Sequence, residues 1–360
     1  AYIKDSSGQR VIDFNKSNLH VVNYSTPVNA KMSFSELKNH LFTLPEYPDW
    51  IPYRTAYYKE SWGFCLSQNQ LLELKDEEYE VFIDSTLQEG HLSYGEYCIK
   101  GETPDEVLIF CHTCHPSLCN DNLSGIALVT FLAKYLSRLS LKYSYRFLFA
   151  PATIGSITWL CLNEEQTSKI KHGLVVANVG DAGHLRYKKS RAGDAEIDKA
   201  VIYVLKQSNK NYEIKDFSPY GYDERQFCSP GFNLPVGSLT RTTNGCYSQY
   251  HTSADNLDFV NAEYLADSFS IFASVIDLLE NNKKYINTNP KCEPQLGKRG
   301  LYRDMGGYKD IGSSQYAMLW ILNLSDGKHT LLDIAEKSGI DFNSLKNTAK
   351  VLIDCNLLKE

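Results

Sequence analysis

Val107-Leu-Ile-Phe-Cys-His-Thr-Cys-His-Pro-Ser-Leu-Cys-Asn-Asp-Asn-Leu-Ser-Gly125 is the stretch on which the reading of this chain turns. The apolar run Val107 to Phe110 predicts a buried strand, and Leu123 to Tyr135 has the periodicity of a helix. Between them stand His112, His115 and Asp121. Imidazole and carboxylate groups are thus gathered just past the carboxyl end of a strand, where open α/β sheets hold their ligands. A His-x-x-His pair alone would also suit a polar loop closing a strand. An Asp directly before Asn-Leu-Ser-Gly makes a metal site the stronger reading.

Outward from this stretch the texture alternates between strands and helices, as in a sheet covered on both faces. Tyr145 to Ala150 reads as a strand leading to a helix near Ser156 to Leu162. Gly173 to Val179 leads through Asp181 to a helix over Ala195 to Lys206. A strand at Leu234 to Leu239 leads through a long loop to His-Thr-Ser-Ala-Asp-Asn, His251 to Asn256, and then to the helix Ala262 to Leu279. Each polar candidate follows a strand, so His115, Asp121, Asp181 and His251 fall on one predicted rim.

Residues 1–100 read as mostly β, with aromatic and β-branched runs at Leu19 to Tyr24, Ile51 to Tyr58 and Glu80 to Ile83. One helix is expected over Ser33 to Leu41, with Ser33 and Glu36 at the spacing of a capping box. Tyr57, Tyr58 and Trp62 are placed either to line a cleft or to fill a core. The domains expected are 1–100, β-rich; 101–285, α/β; 286–313, a polar linker rich in Gly and Pro; and 314–360, three helical segments. Those segments are Tyr316 to Leu324, Leu331 to Ser338 and Phe342 to Cys355, the last two joined by a turn at Gly339-Ile340-Asp341.

Composition narrows the function classes. With 43% hydrophobic and 22% charged residues, the 360-residue chain is globular and long enough for two or three domains. A net charge of −6 argues against an obligatory nucleic-acid partner, which needs a basic face. No apolar run reaches the ~18 residues of a membrane span. The ten cysteines lack the repeated spacing of a disulfide framework and suit a reducing cytoplasm. Cys114 is either a reactive thiolate or soft ligand or, more in keeping with free cysteines, a small buried hydrophobe.

The run His115 to Gly125 resembles the bridging-aspartate motif of the co-catalytic zinc aminopeptidases, in which Asp-Asn-x-Ser-Gly opens a helix and the carboxylate touches both metals. The likeness is to a bacterial aminopeptidase-like branch with an appended winged helix, and it covers roughly residues 101–280. It implies an α/β fold: a zinc-aminopeptidase-like mixed sheet with helices on both faces, a small β-rich domain and a C-terminal winged-helix-like domain. It also implies a helical segment ahead of Ala1, so the sequence is expected to be part of a longer one.

The function implied is zinc-dependent hydrolysis of amide or peptide bonds, with one or two zinc ions. His115 is similar to the first terminal ligand, with His112 in reserve. Asp121 corresponds to the bridge, Asp181 to the carboxylate after the third strand and His251 to the last imidazole. Two departures stand out. Where the family carries an Asp two residues after the first His, this chain has Ser117 or Cys114. Where it carries one or two glutamates as base and ligand, Phe149 to Ser156 offers Ala152 and Thr153. Glu164 and Glu165 lie a helix of ~12 Å away, which leaves Asp181, His112 or a tyrosine such as Tyr250 to supply a base.

The loop from Pro219 to Thr243 offers Asp223 for a substrate amine and Arg225 or Arg241 for a carboxylate, or simply Asp–Arg pairs that tie the loop. Tyr247 and Tyr250 either donate to an oxyanion or pack. Residues 311–360 carry five lysines, no arginine and six acidic side chains, net −1. The C-terminal domain is therefore expected to dock a protein or form a homo-oligomer rather than to read DNA. A relative that keeps the pocket and binds without turnover is the alternative that Ala152 raises.

Overall fold

Four strands that carry the apolar runs read above lie side by side and parallel at the centre of a seven-stranded sheet. The computed structural model describes residues 1–115, 117–302 and 312–360. Pro116 and part of the expected linker, 303–311, lie outside the described residues. Ahead of the large sheet come β1 (Tyr2–Lys4), β2 (Arg10–Asp13), β3 (Val28–Ser33), β4 (Leu41–Phe42), β5 (Phe64–Cys65) and β6 (Glu78–Ile83). β2, β1, β6 and β3 form an antiparallel sheet in that order, and β4 pairs with β5. Ile3, Ile12, Val81 and Phe64 build its separate small core.

Two stretches expected as strands here are not strands. Asn18–His20 is a 3-10 turn, and around Ile51 to Tyr58 there are only isolated bridges, Pro52 to Thr252 and Asn23 to Thr55. Prolines and a buried polar turn break the alternation that a ladder requires. The capping box at Ser33 and Glu36 is present, but the helix it opens, α1 (Phe34–Leu37), gives way to a 3-10 turn after one turn. A second short helix, α2, spans Gln68–Glu73.

The large sheet is built from β7 (Gly95–Ile99), β8 (Glu106–His112), β9 (Ser144–Ala150), β10 (Ile170–Val176), β11 (Leu185–Lys188), β12 (Tyr212–Lys215) and β13 (Val236–Thr240). Its order is β12-β11-β13-β10-β8-β9-β7. β13, β10, β8 and β9 are mutually parallel; β7 and β11 run antiparallel to their neighbours β9 and β13. Every residue of β8 is buried, as a strand covered on both faces requires. The helices α3 (Ser124–Leu136), α4 (Ile154–Leu162), α5 (Glu196–Gln207), α6 (Glu224–Phe227) and α7 (Ala262–Asn281) accompany it. Leu108, Phe110, Leu148, Trp159 and Phe227 form one of the cores against this sheet. The edge strands β7 and β12, and β11 beside β12, carry many polar residues, which is why the hydrophobic pattern does not announce them.

The chain divides into two units, Ala1–Phe272 and Ala273–Glu360. In the second, β14 (Lys284–Asn287) is the middle strand between β15 (Asp326–Thr330) and β16 (Leu358–Lys359), and α8 (Ser313–Leu324), α9 (Leu331–Ser338) and α10 (Phe342–Asp354) complete it. Ile286 and Asn287, expected to begin a linker, instead pair with β16 and so belong to the sheet of this unit. Gly339 leaves α9 in the left-handed region, φ 69°, and the Asp341 side chain caps α10 by accepting from the Ser344 N–H at 3.0 Å. No helix among the described residues is long and apolar enough to cross a membrane.

Candidate metal centre

The turn that carries Asp121 is held from several sides. β8 ends at His112, α3 begins at Ser124, and the intervening residues Asn120, Asp121 and Asn122 are all buried. Asn122 donates to the Val176 carbonyl at 3.1 Å and accepts from the Gly125 and Asn178 N–H groups, both at 3.2 Å. Ser124 Oγ donates to the Asn120 carbonyl at 2.7 Å and accepts from the Val179 N–H at 3.2 Å. A Cβ at Gly125 would stand 2.4 Å from Asn122 Oδ1, so only glycine fits there. The Asp-Asn-x-Ser-Gly motif therefore follows from locking the ends of β8 and β10 to the start of α3.

Three imidazoles converge on the Asp121 carboxylate. His112 Nε2 lies 2.7 Å from Oδ1, and His251 Nε2 lies 3.2 Å from Oδ2. His115 Nδ1 lies 3.6 Å from Oδ2 and donates to the Asp121 carbonyl at 3.0 Å, which leaves its Nε2 lone pair free. Burial alone would raise the pKa of Asp121. The hydrogen bonds from His112 and His251 outweigh burial and hold the carboxyl well below its usual range. Burial would likewise depress His112, but the Asp121 hydrogen bond and charge raise it. His115, with weaker ties to that carboxylate, is lowered by burial.

His112, His115 and Asp121 offer ligand atoms within 4.8 Å of one another. An ionised carboxylate among neutral-capable imidazoles is the donor set that zinc favours. His112, given a reserve place by sequence, makes the shortest contact to Asp121. Asp181 is not in this group. Its carboxylate accepts from Asn120 Nδ2 at 2.9 Å, from the Gly183 N–H at 2.6 Å and from Thr242 Oγ at 2.5 Å. It is linked to Asp121 through Asn120.

The other sequence candidates are dispersed. Arg241 donates to the Gly183 carbonyl at 2.7 Å and to Ser268 Oγ at 3.1 Å and pairs with Asp267, so its guanidinium is committed. Arg225 is half-buried. Asp223 is buried, accepts from Ser156 Oγ at 2.6 Å, and is pushed up to about 6 by burial. Tyr250 stacks on His251 at 3.9 Å, while Tyr247 stacks on Phe259 at 5.2 Å. Position 152 lies two residues past the β9 end that pairs with His112, and the Ala152 N–H donates to Cys114 Sγ at 2.9 Å. Burial pushes the Cys114 thiol up to about 12, so it is not a ready thiolate. All ten cysteines are free thiols.

Sequence reasoning overlooked four neighbours. Asp255 accepts from the Asn120 and Asp121 N–H groups. Its place inside the His251 to Asn256 motif was the available signal. Asn120 joins Asp181 to the turn, as its Asn-Asp-Asn setting allows in retrospect. Tyr53 packs edge-on to His115 at 4.8 Å and to His251 at 5.1 Å. Tyr222 lies against His112, ring centroids 5.5 Å apart. Of the aromatics expected at a cleft, Tyr58 is exposed and Trp62 stacks on His40 at 3.6 Å, beside the small core.

A seven-stranded mixed sheet with a His/Asp cluster at the carboxyl ends of its central strands defines an aminopeptidase-like protein. The fold is that of a zinc aminopeptidase from Bacillus subtilis, with a TM-score of 0.56 over 76% of this chain and 80% of that one at 13% identity. The chain belongs to the family described as a domain of unknown function, DUF4910, whose model matches residues 4–282; a winged helix-turn-helix model matches residues 283–360. It is 57% identical, over its whole length and 82% of the relative, to a Clostridium acetobutylicum protein provisionally named as a polysaccharide biosynthesis protein with an aminopeptidase-like domain. A crystal structure of a provisionally named peptidase from Clostridium acetobutylicum superposes with a TM-score of 0.93 at 55% identity, covering all of this chain and 82% of that one.

Proposed function

We propose that the chain is a zinc-dependent, aminopeptidase-like hydrolase of an amide or peptide bond, and that His112, His115, Asp121 and His251 hold one or two metal ions. The observation that carries this reading is the convergence of three imidazoles on one buried, ionised carboxylate. When bound, zinc supplies Lewis-acid polarisation of a carbonyl and acidifies water. Asp121 provides the anionic ligand. Asp181 acts through Asn120, orienting the turn. The Tyr250 hydroxyl, raised by burial and therefore protonated, is a donor for a developing oxyanion. For substrate contact, Arg225 and Tyr247 are the half-buried candidates, whereas Asp223 is fully buried against Ser156.

Ala152 favours a second reading, in which the pocket binds without turning over, because a methyl group cannot accept a proton where a general base is needed. Zinc titration by calorimetry, with hydrolysis of leucine amide assayed on the same preparation, separates the two. Zinc binding with turnover supports the hydrolase, and zinc binding without turnover supports the silent relative. Failure to bind zinc sinks the metal-site reading itself.

The name of the Clostridium relative fits an amide on a polysaccharide precursor as the substrate. Free thiols fit a cytoplasmic location. Residues 311–360 are net −1, but the whole winged-helix match, 283–360, carries twelve basic and nine acidic side chains, net +3, so charge does not separate docking to a protein or a second copy from binding nucleic acid.

A further inference from the structure

Beside the metal cluster, across the ring of Tyr222, lies a cavity of about 240 Å³ at the edge of the large sheet. Arg186 and Lys188 of β11 face Thr240 and Ser238 of β13, and all four line it together with Tyr222 and Glu224. The cations are already committed. Lys188 pairs with Glu224 and donates to the Tyr220 carbonyl at 2.7 Å, and Arg186 pairs with Glu213 at 3.0 Å. Lys215, also 3.5 Å from Glu213, sits half-exposed at the rim. Three cations against two carboxylates leave little net charge to attract an anion.

Besides the ion-paired Glu224 carboxylate and Arg186 Nε, which also lack hydrogen-bond partners among the described residues, the cavity holds two neutral hydroxyls outside any ion pair. Ser238 is 4% exposed, and its Oγ has no hydrogen-bond partner among the described residues; the same is true of the buried Tyr222 Oη. A hydroxyl can both donate and accept, so an orphaned pair of them calls for a ligand that does both. At the mouth the Tyr220 ring is 75% exposed and offers a flat apolar face. The volume falls below the ~300–1,000 Å³ of pockets for drug-sized ligands, which suits one small ring rather than a length of peptide.

We propose that this cavity takes the hydroxylated ring of an N-acylated amino sugar, with its amide directed past Tyr222 toward Asp121. This rests on the hydrolase reading for the chemistry but not for the binding. The reaction adds one water across the C–N bond, giving the free amino sugar and a carboxylate, with no other reactant required.

N-acetyl-D-glucosamine, tested by saturation-transfer NMR on the full chain, is expected to bind. Affinity should fall about tenfold in Ser238→Ala and in Tyr222→Phe, with zinc binding and the circular dichroism spectrum unchanged. Absence of binding, binding indifferent to both substitutions, or displacement by leucine amide or glutarate in preference to the sugar overturns the proposal. Serine-dependent sugar binding without turnover upholds it and counts against the hydrolase reading alone. Leucine amide hydrolysis without sugar binding overturns it and leaves the hydrolase reading standing.

Discussion

Asp255 holds Asp121 by its backbone: the two Asp255 carboxylate oxygens accept from the Asn120 N–H at 2.5 Å and from the Asp121 N–H at 3.0 Å. The loop that delivers His251 to the site thus also orients the turn that delivers the central carboxylate. Removing this acceptor leaves two buried donors without a partner, each worth ~1–3 kcal/mol. Asp255→Ala is expected to lose about 2–4 kcal/mol in urea unfolding and to weaken zinc binding. Asp255→Asn, which keeps one acceptor, should lose less. Equal stability in both variants and the parent would show that the turn does not depend on this carboxylate.

Asp121 is the point on which the imidazoles converge, so its charge should dominate metal affinity. Asp121→Asn keeps the shape and removes the anion. Zinc affinity measured by calorimetry is expected to drop by more than the ~10–100-fold typical of losing an outer partner. An affinity within a factor of a few of the parent would remove Asp121 from the metal site.

Ala152 stands two residues past the strand end that faces His112, where a carboxylate would reach the site. Ala152→Glu is expected to raise the rate of amide hydrolysis by ~10²–10⁴, the usual contribution of a positioned base. Unchanged turnover, with metal still bound, would mean that the missing base belongs elsewhere.

His172 in β10 is buried, and its Nδ1 has no hydrogen-bond partner among the described residues. Burial, aided by Lys142 and Lys171, lowers it to about 4. Its folded value lies below the unfolded one of 6.5, so the unfolded chain binds the extra proton first. Stability is full above about 6.5 and falls as pH drops toward 4, by up to ~3 kcal/mol. His172→Leu should flatten that part of the difference in urea midpoint between pH 7 and pH 4.5. A parallel pH profile for the two proteins would contradict this.

Much of the architecture was written in local pattern. The all-apolar β8, the helix after Asp121 and the turn at Gly339 follow from periodicity and backbone preference, because burial on both faces and a left-handed residue leave direct marks on residue type. The polar strands β7, β11 and β12 left no such mark, and neither did β14, whose role depends on pairing with residues 40 to 73 positions away.

The site divides in the same way. His112, His115, Asp121 and His251 could be picked from sequence, since each follows a strand and imidazole and carboxylate are the chemistry of metals. Folding alone decided that Asp181 turns to Asn120 and Thr242, that Arg241 is spent on Asp267, and that Tyr53 and Tyr222 flank the imidazoles. Hydrogen bonds and ring contacts between distant segments depend on where side chains end up in space. Residue order constrains that only through the completed sheet.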